Sequence, residues 1–221
     1  ITAVDGSNII LDSSSNAFSN SVELKADTGG NEAFGNITFV DSAAVDFDSS
    51  ASANGDLFIN GSTDGAVGGN LNVTATTGNI TQNAALTITG TTTLTTSAND
   101  ATITLGTDSN AFTGAMTITT NDASGTDADV TIDGGTTALV IAASTVDGDL
   151  SLRTGNASGI TDTGTVTVGG NFTATTDANN GVITLDSMAV DGTFTLAPNN
   201  TGAVTIVNDA GLALAASTMG G

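Results

Sequence analysis

Cysteine, histidine, tryptophan and tyrosine are absent from the 221 residues, and there is one proline, Pro198. Only Lys25 and Arg153 are basic. Each absence removes a class of function. Without cysteine there is no disulfide framework and no thiol nucleophile. Without histidine the usual neutral-pH proton shuttle is missing. Two basic residues against 23 acidic ones give a formal charge of −21. Such a charge repels phosphate backbones and anionic bilayers, so nucleic acid is not an expected partner. No run of 18 apolar residues occurs, so no helical membrane span is expected.

What is present is small, β-branched and periodic. Short apolar-x-apolar triplets recur from end to end: Ile9-Leu11, Val22-Leu24, Ile37-Phe39, Leu71-Val73, Ile103-Leu105, Val130-Ile132, Leu150-Leu152, Ile183-Leu185, Val204-Ile206. Alternation at period two is the strand signal, and Gly, Asn, Asp, Ser and Thr fill the gaps. No sustained helical period exists. A larger frame, apolar-x-Gly-x-apolar-x-apolar, stands at Val67-Gly69-Leu71-Val73, Phe112-Gly114-Met116-Ile118, Val146-Gly148-Leu150-Leu152, Val168-Gly170-Phe172-Ala174 and Val190-Gly192-Phe194-Leu196. Ile88-Gly90-Leu94 keeps it with Thr92 in an apolar slot. Each glycine marks a bend that needs either positive φ or a close backbone approach.

Self-comparison shows copying. A shift of 80 residues sets Ile80 on Ile160, Leu86-Thr87-Ile88 on Val166-Thr167-Val168, and Gly90 on Gly170. A shift of 73 sets Ala142-Ala143-Ser144-Thr145 on Ala215-Ala216-Ser217-Thr218, and a shift of 94 sets Ser15–Phe18 on Ser109–Phe112. The successive frames give a unit of about 22 residues, too short for immunoglobulin-like sandwich domains and typical of a solenoid. The expectation is all-β: one continuous parallel β-solenoid over 1–221, with about ten coils of about 22 residues. At about 4.8 Å per coil that makes a rod roughly 50 Å long. Val, Ile, Leu and Phe face inward and Thr mostly faces outward, while Asn16 and Asn110 begin short amide ladders. Neither end shows a polar capping element, so the chain reads as an interior section of a longer array or as a stacking filament subunit.

The runs Gly69-Asn70-Leu71-Asn72-Val73-Thr74-Ala75, Gly78-Asn79-Ile80-Thr81-Gln82 and Ala85-Leu86-Thr87-Ile88-Thr89-Gly90 resemble filamentous-haemagglutinin-type repeats of large bacterial surface proteins and adhesins. The resemblance implies a right-handed β-helix, secretion to the cell surface, and adhesion or matrix-building roles. The family's secretion domain, with its Asn-Pro signatures, has no counterpart in this sequence.

No catalytic or cofactor-binding residue is assigned. A sugar-cleaving β-helix enzyme needs clustered Asp with basic partners. Here the acidic residues Asp12, Asp41, Asp108, Asp133 and Asp186 sit in turns, and the two cations lie far apart in sequence. Calcium is the one ion the composition invites. Asp41, Asp46 and Asp48, and again Asp122, Asp127 and Asp129, lie close together in polar segments, but neither group matches a known calcium loop. Thr-x-Thr pairs such as Thr93/Thr95 and Thr102/Thr104 raise an ice-binding face as a minor alternative. Seven Asn-x-Ser/Thr triplets, at Asn36, Asn60, Asn72, Asn79, Asn156, Asn171 and Asn199, allow glycosylation. The functional expectation is a non-catalytic extracellular filament or matrix rod. Its partners would be further copies stacked end to end, or covalently continuous repeats, with glycans or other cell-surface components beside them. The alternative is the stalk of an adhesin whose tip lies elsewhere.

Overall fold

The structure is a computed structural model. It describes all residues except 2, 5, 25–34, 49–55, 60–65, 108, 124–126 and 219–221, and it leaves out the side chains of 56, 58 and 66. Lys25, Asn60, Asp108 and the side chain of Phe58 therefore lie outside the described residues.

Strands account for all the regular structure described. In chain order they are β1 (Ile9–Leu11), β2 (Val22–Leu24), β3 (Ile37–Asp41), β4 (Val45–Phe47), β5 (Asp56–Ile59), β6 (Ala66–Val67), β7 (Leu71–Ala75) and β8 (Ile80–Gln82). Next come β9 (Thr87–Ile88), β10 (Thr92–Asn99), β11 (Ile103–Leu105), β12 (Ala111–Phe112), β13 (Met116–Asn121), β14 (Val130–Asp133), β15 (Leu139–Ile141) and β16 (Ser144–Val146). The last are β17 (Leu150–Thr154), β18 (Ile160–Asp162), β19 (Val166–Val168), β20 (Phe172–Thr176), β21 (Ile183–Val190), β22 (Phe194–Ala197) and β23 (Val204–Asn208).

All pairings among them are parallel. One sheet runs β1-β3-β7-β10-β13-β15-β18-β21, with β23 on β21 and with β16 and β19 joined through β21. A second runs β2-β5-β4-β8-β11-β14-β17-β20-β22, and a short third runs β12-β9-β6. Most strands that follow one another in the chain thus lie on different sheets, and each sheet is built mainly from strands one turn apart. That is a parallel β-solenoid. Its regular part has about six turns of about 22 residues, roughly 30 Å of rod at the usual strand spacing.

The expected ten coils overstate the count. The reason is loop length: equivalent corner residues Asn8 and Asn36 are 28 apart, and Asn36 and Asn70 are 34 apart, before the step falls to 21 between Asn70 and Thr91. Part of the long step is β5. It does not open the next coil but slots between β2 and β4, adding a rung to one face only.

Period-two alternation builds the core, since every second side chain points inward. The inward column of the second sheet reads Val45, Ile80, Ile103, Val130, Leu150, Phe172, Phe194 in direct register. Each of these is buried. Phe172 and Phe194 pack with ring centroids 5.7 Å apart. Thr92 interrupts the first sheet's column between Leu71 and Met116, and its buried hydroxyl has no hydrogen-bond partner. Buried threonines elsewhere close the corners: Thr96 donates to the Ala101 carbonyl (3.2 Å), Thr120 to Ala128 (3.1 Å) and Thr176 to Gly181 (3.1 Å).

The frame glycines serve close approach rather than positive φ. Among the described glycines only Gly6, Gly135 and Gly159 have positive φ. A Cβ on Gly69, Gly90 or Gly114 would lie 2.6, 2.5 or 2.3 Å from the carbonyl oxygen of the glycine one turn below. Gly148, Gly170 and Gly192 form a second column, joined by Gly170 N–H to Gly148 O (3.0 Å) and Gly192 N–H to Gly170 O (3.1 Å). The first column precedes β7, β10 and β13, whereas the second precedes β17, β20 and β22 on the other sheet. The frame moves to a different corner between Gly114 and Gly148.

Candidate functional site

The acidic residues singled out by the sequence are placed individually, and most are engaged by the fold. Asp41 is buried and accepts the Phe18 and Ala43 amides, both at 3.2 Å. Asp46 faces outward and accepts the Thr81 hydroxyl (2.9 Å) and the Asn83 amide (2.7 Å). Asp129 accepts the Asp149 N–H (2.7 Å), and Asp122 donates its own N–H to Asp147 (2.8 Å). Among the described residues no group of three or more acidic side chains converges as a metal site would require.

Arg153 spans two neighbouring turns, lying 3.4 Å from Asp133 and 2.7 Å from Asp177. Asp133 is nearly buried and also accepts the Gly135 amide (2.8 Å). This cation ties coils together.

At the turn after β10, Asp100 sits at φ +62°. Its carboxyl is pushed above the ordinary aspartate range by partial loss of water, by the charge of Asp122 and a hydrogen bond with it, and by the charge of Asp127. Because Asp100 is exposed, the like charge of Asp122 is the stronger physical account. An acid whose folded pKa is raised binds its proton more readily folded than unfolded. The folded state then loses stability as pH rises from the ordinary value of 3.8 through the raised one. In Asp122→Asn the Asp100 carboxyl is expected to titrate at lower pH than in the unaltered chain, read by carbon-detected NMR. An unchanged midpoint would remove Asp122 as the cause.

Two amide ladders climb the corners. In the first, Asn8 accepts the Asn36 N–H (2.9 Å), Asn36 accepts that of Asn70 (2.8 Å), and Asn70 accepts that of Thr91 (2.9 Å). In the second, Asp129, Asp149 and Asn171 accept the N–H groups of Asp149 (2.7 Å), Asn171 (2.6 Å) and Thr193 (3.0 Å). The missing Cβ of the preceding glycine makes room: on Gly90 it would stand 2.4 Å from Asn70 Oδ1. The recurring Gly-Asn dipeptides were the available signal.

Asn16 and Asn110, read from the sequence as ladder starters, share one geometry. Each donates to the carbonyl five residues back and to one in the next turn, Leu11 and Val40 for Asn16, Leu105 and Asp133 for Asn110. The Asn110–Gln82 amide pair, 2.7 and 2.9 Å, was not legible from spacing. Of the sequons, Asn36, Asn79, Asn156, Asn171 and Asn199 are engaged in hydrogen bonds to neighbouring turns.

The outward rows are hydroxylated. Thr81, Thr104, Thr131, Ser151, Thr173 and Thr195 stand in register on the second sheet, headed by Asp46. Thr74, Thr95, Thr119, Thr145 and Thr167 do so on the first.

A family model described as "Repeats of unknown function (DUF5649)" matches residues 34–119 and 127–198, more than two thirds of the chain. The chain belongs to this repeat family. No curated protein and no solved structure matches it. The two matched segments meet at residues 120–126, inside the stretch where the glycine column changes corner. Family membership supports the repeat architecture and assigns no activity.

Proposed function

We propose that this chain is a non-catalytic, extracellular structural rod of a bacterial surface, extended axially by stacking coil on coil. One observation carries the reading. Among the described residues the exposed large hydrophobics are Ile1, Val4 and Ile10 toward one end and Val207, Leu212 and Leu214 toward the other. Ile10 and Val207 face outward on the terminal strands β1 and β23, whereas Leu214 continues the inward column beyond Phe194. In interior strands the inward residues are buried, whereas inward Val204 and Ile206 of β23 are only half-buried. An apolar cross-section and a strand edge left uncovered at an end invite another coil, and lateral faces dressed in Thr do not.

The resemblance to filamentous-haemagglutinin-type repeats supports the surface location, and the rule for parallel crossovers supports a right-handed coil. The added coils come from further copies or from the same polypeptide. The charge of −21 opposes side-by-side packing of rods and leaves the axis as the direction of growth.

Negative-stain electron microscopy tests this on the purified chain and on the variant Leu212→Asp/Leu214→Asp. Filaments are expected from the first and single short rods from the second. Thr173→Asp, on a lateral face, should still form filaments. Single rods from the unaltered chain at every concentration would sink self-stacking and leave the adhesin-stalk reading, in which coils continue covalently.

A further inference from the structure

A shallow trough of about 220 Å³ runs along the rod axis on the first sheet, across β3, β7 and β10. One wall is the first amide ladder, Asn36, Asn70 and Thr91. The other is the outward row Thr38, Asn72, Thr93, which are direct register partners. We infer that this trough binds a neutral, linear, polyhydroxylated chain, a polysaccharide strand lying parallel to the axis.

The wall chemistry leads there. Asn36 and Asn70 spend their side-chain oxygens on the backbone N–H of the next turn. That fixes each carboxamide plane and turns its NH2 group away from the ladder, where it has no partner among the described residues. Two pre-oriented donors therefore stand one turn apart. Opposite them, Asn72 is exposed and its side chain makes no hydrogen bond to any described residue, and Thr38 and Thr93 add hydroxyls that donate or accept. A ligand matching this wall offers oxygen acceptors toward the ladder and hydroxyls toward the row.

Charge narrows the class. The outward residues of β3, β7, β10 and β13 include Thr38, Val40, Asn72, Thr74, Thr93, Thr95, Ser97, Asn99, Thr117, Thr119 and Asn121, none of them charged. The acidic residues nearby sit in corner turns. An anionic polymer would be repelled by a chain of charge −21, and a cationic one would be drawn to the corners instead. Neutral hydroxyls meet neither obstacle.

The trough has no aromatic platform: Phe39, Phe47, Phe112, Phe172 and Phe194 are buried, and half-buried Phe18 stacks on Phe39 at 5.2 Å and does not line it. Binding therefore rests on hydrogen bonds in water. It is weak for each sugar and adds up along a polymer that contacts several turns. The inference concerns a lateral face and stands apart from axial stacking, so either can fail alone.

The experiment is NMR titration of the isotope-labelled chain with cellohexaose, mannohexaose and laminarihexaose, with hexagalacturonate as the anionic control. At least one neutral hexasaccharide is expected to shift the side-chain NH2 signals of Asn36, Asn70 and Asn72 at millimolar concentration, and the galacturonate is not. The variant Asn72→Ala/Thr93→Val should weaken that binding by about tenfold, whereas Thr173→Val on the second sheet should not change it. Absence of shifts with all three neutral sugars overturns the proposal. So do shifts that persist unchanged in the double variant, or that map to another face. Thermal hysteresis of freezing without sugar binding would assign the hydroxyl rows to ice instead and equally overturn it.

Discussion

Gly159→Ala is expected to destabilise the chain by about 3–4 kcal/mol, the sum of a left-handed backbone penalty and an overpacking penalty. Gly159 has φ +70°, and a Cβ there would lie 1.7 Å from the Val182 carbonyl oxygen in the next turn. That oxygen cannot retreat freely, because it accepts the Ile160 N–H at 3.0 Å. Gly159 itself is tied on both sides, its N–H to Asn156 O and its carbonyl to Leu139 N–H, each 3.0 Å. Relief would require two turns to separate, and the strand ladder sets their spacing. Gly106→Ala is the comparison. A Cβ there meets only Thr131 Cγ2, at 4.0 Å, so its effect should stay within about 0.5 kcal/mol. Urea unfolding midpoints of the two variants decide the matter. Equal midpoints would mean that the coil spacing yields easily at Gly159.

The second large effect is expected at Asn110. Its side chain is buried and touches three successive turns. Oδ1 accepts the Leu86 N–H (2.9 Å) and the Gln82 amide (2.7 Å). Nδ2 donates to Leu105 O (3.3 Å), Asp133 O (3.0 Å) and Gln82 Oε1 (2.9 Å). Leucine fills a similar volume but satisfies none of these groups. At about 1–3 kcal/mol for each buried polar group left unpaired, Asn110→Leu should cost about 3–5 kcal/mol, with Gln82 and the Leu86 amide the groups most affected. Each coil is held by its neighbours, so the loss should appear first as local opening around β8, β11 and β14. Hydrogen exchange at the Leu86 amide reads this directly. A change in overall stability below about 1 kcal/mol, with that amide still protected, would show that the amide node is dispensable.

Several sequence features gained structural meaning only with the partner turn in view. The Ala-Ala-Ser segment is one example. Ser144 donates to Ala142 O (2.9 Å) and accepts Ile118 N–H, and Ser217 repeats this with Ala215 O (3.1 Å) and Leu196 N–H. The local bend was legible because it is encoded by neighbours in the chain. Yet Ser144 adjoins β13 on the first sheet, whereas Ser217 adjoins β22 on the second. The shift of 80 behaves alike: Ile80 lies in β8 of the second sheet and Ile160 in β18 of the first. Similar words occupy different faces, because a strand–bend–strand unit suits any corner, and the corner it reaches depends on all the loop lengths before it.

The ladders divide in the same way. Gly-Asn dipeptides announce a tight polar corner. That Asn36 reaches Asn70, and Asn70 reaches Thr91, depends on steps of 34 and 21 residues ending at the same height and angle. The Asp clusters point the other way: nearness in sequence placed Asp122, Asp127 and Asp129 together, but Asp129 turns into the second ladder, so they form no common site.

The sequence by itself determined the strands, their inward and outward sides, the unit of about 22 residues and the acidic, hydroxyl-rich surface. These follow from period-two alternation and composition, which act within a few residues. The tertiary structure alone decided the number of regular turns, the insertion of β5 between β2 and β4, the change of corner after Gly114 and the trough between ladder and threonine row. Each of those depends on which residues meet across a turn, and that contact is set by summed loop lengths and by the spacing of stacked strands, neither of which is written at any one position.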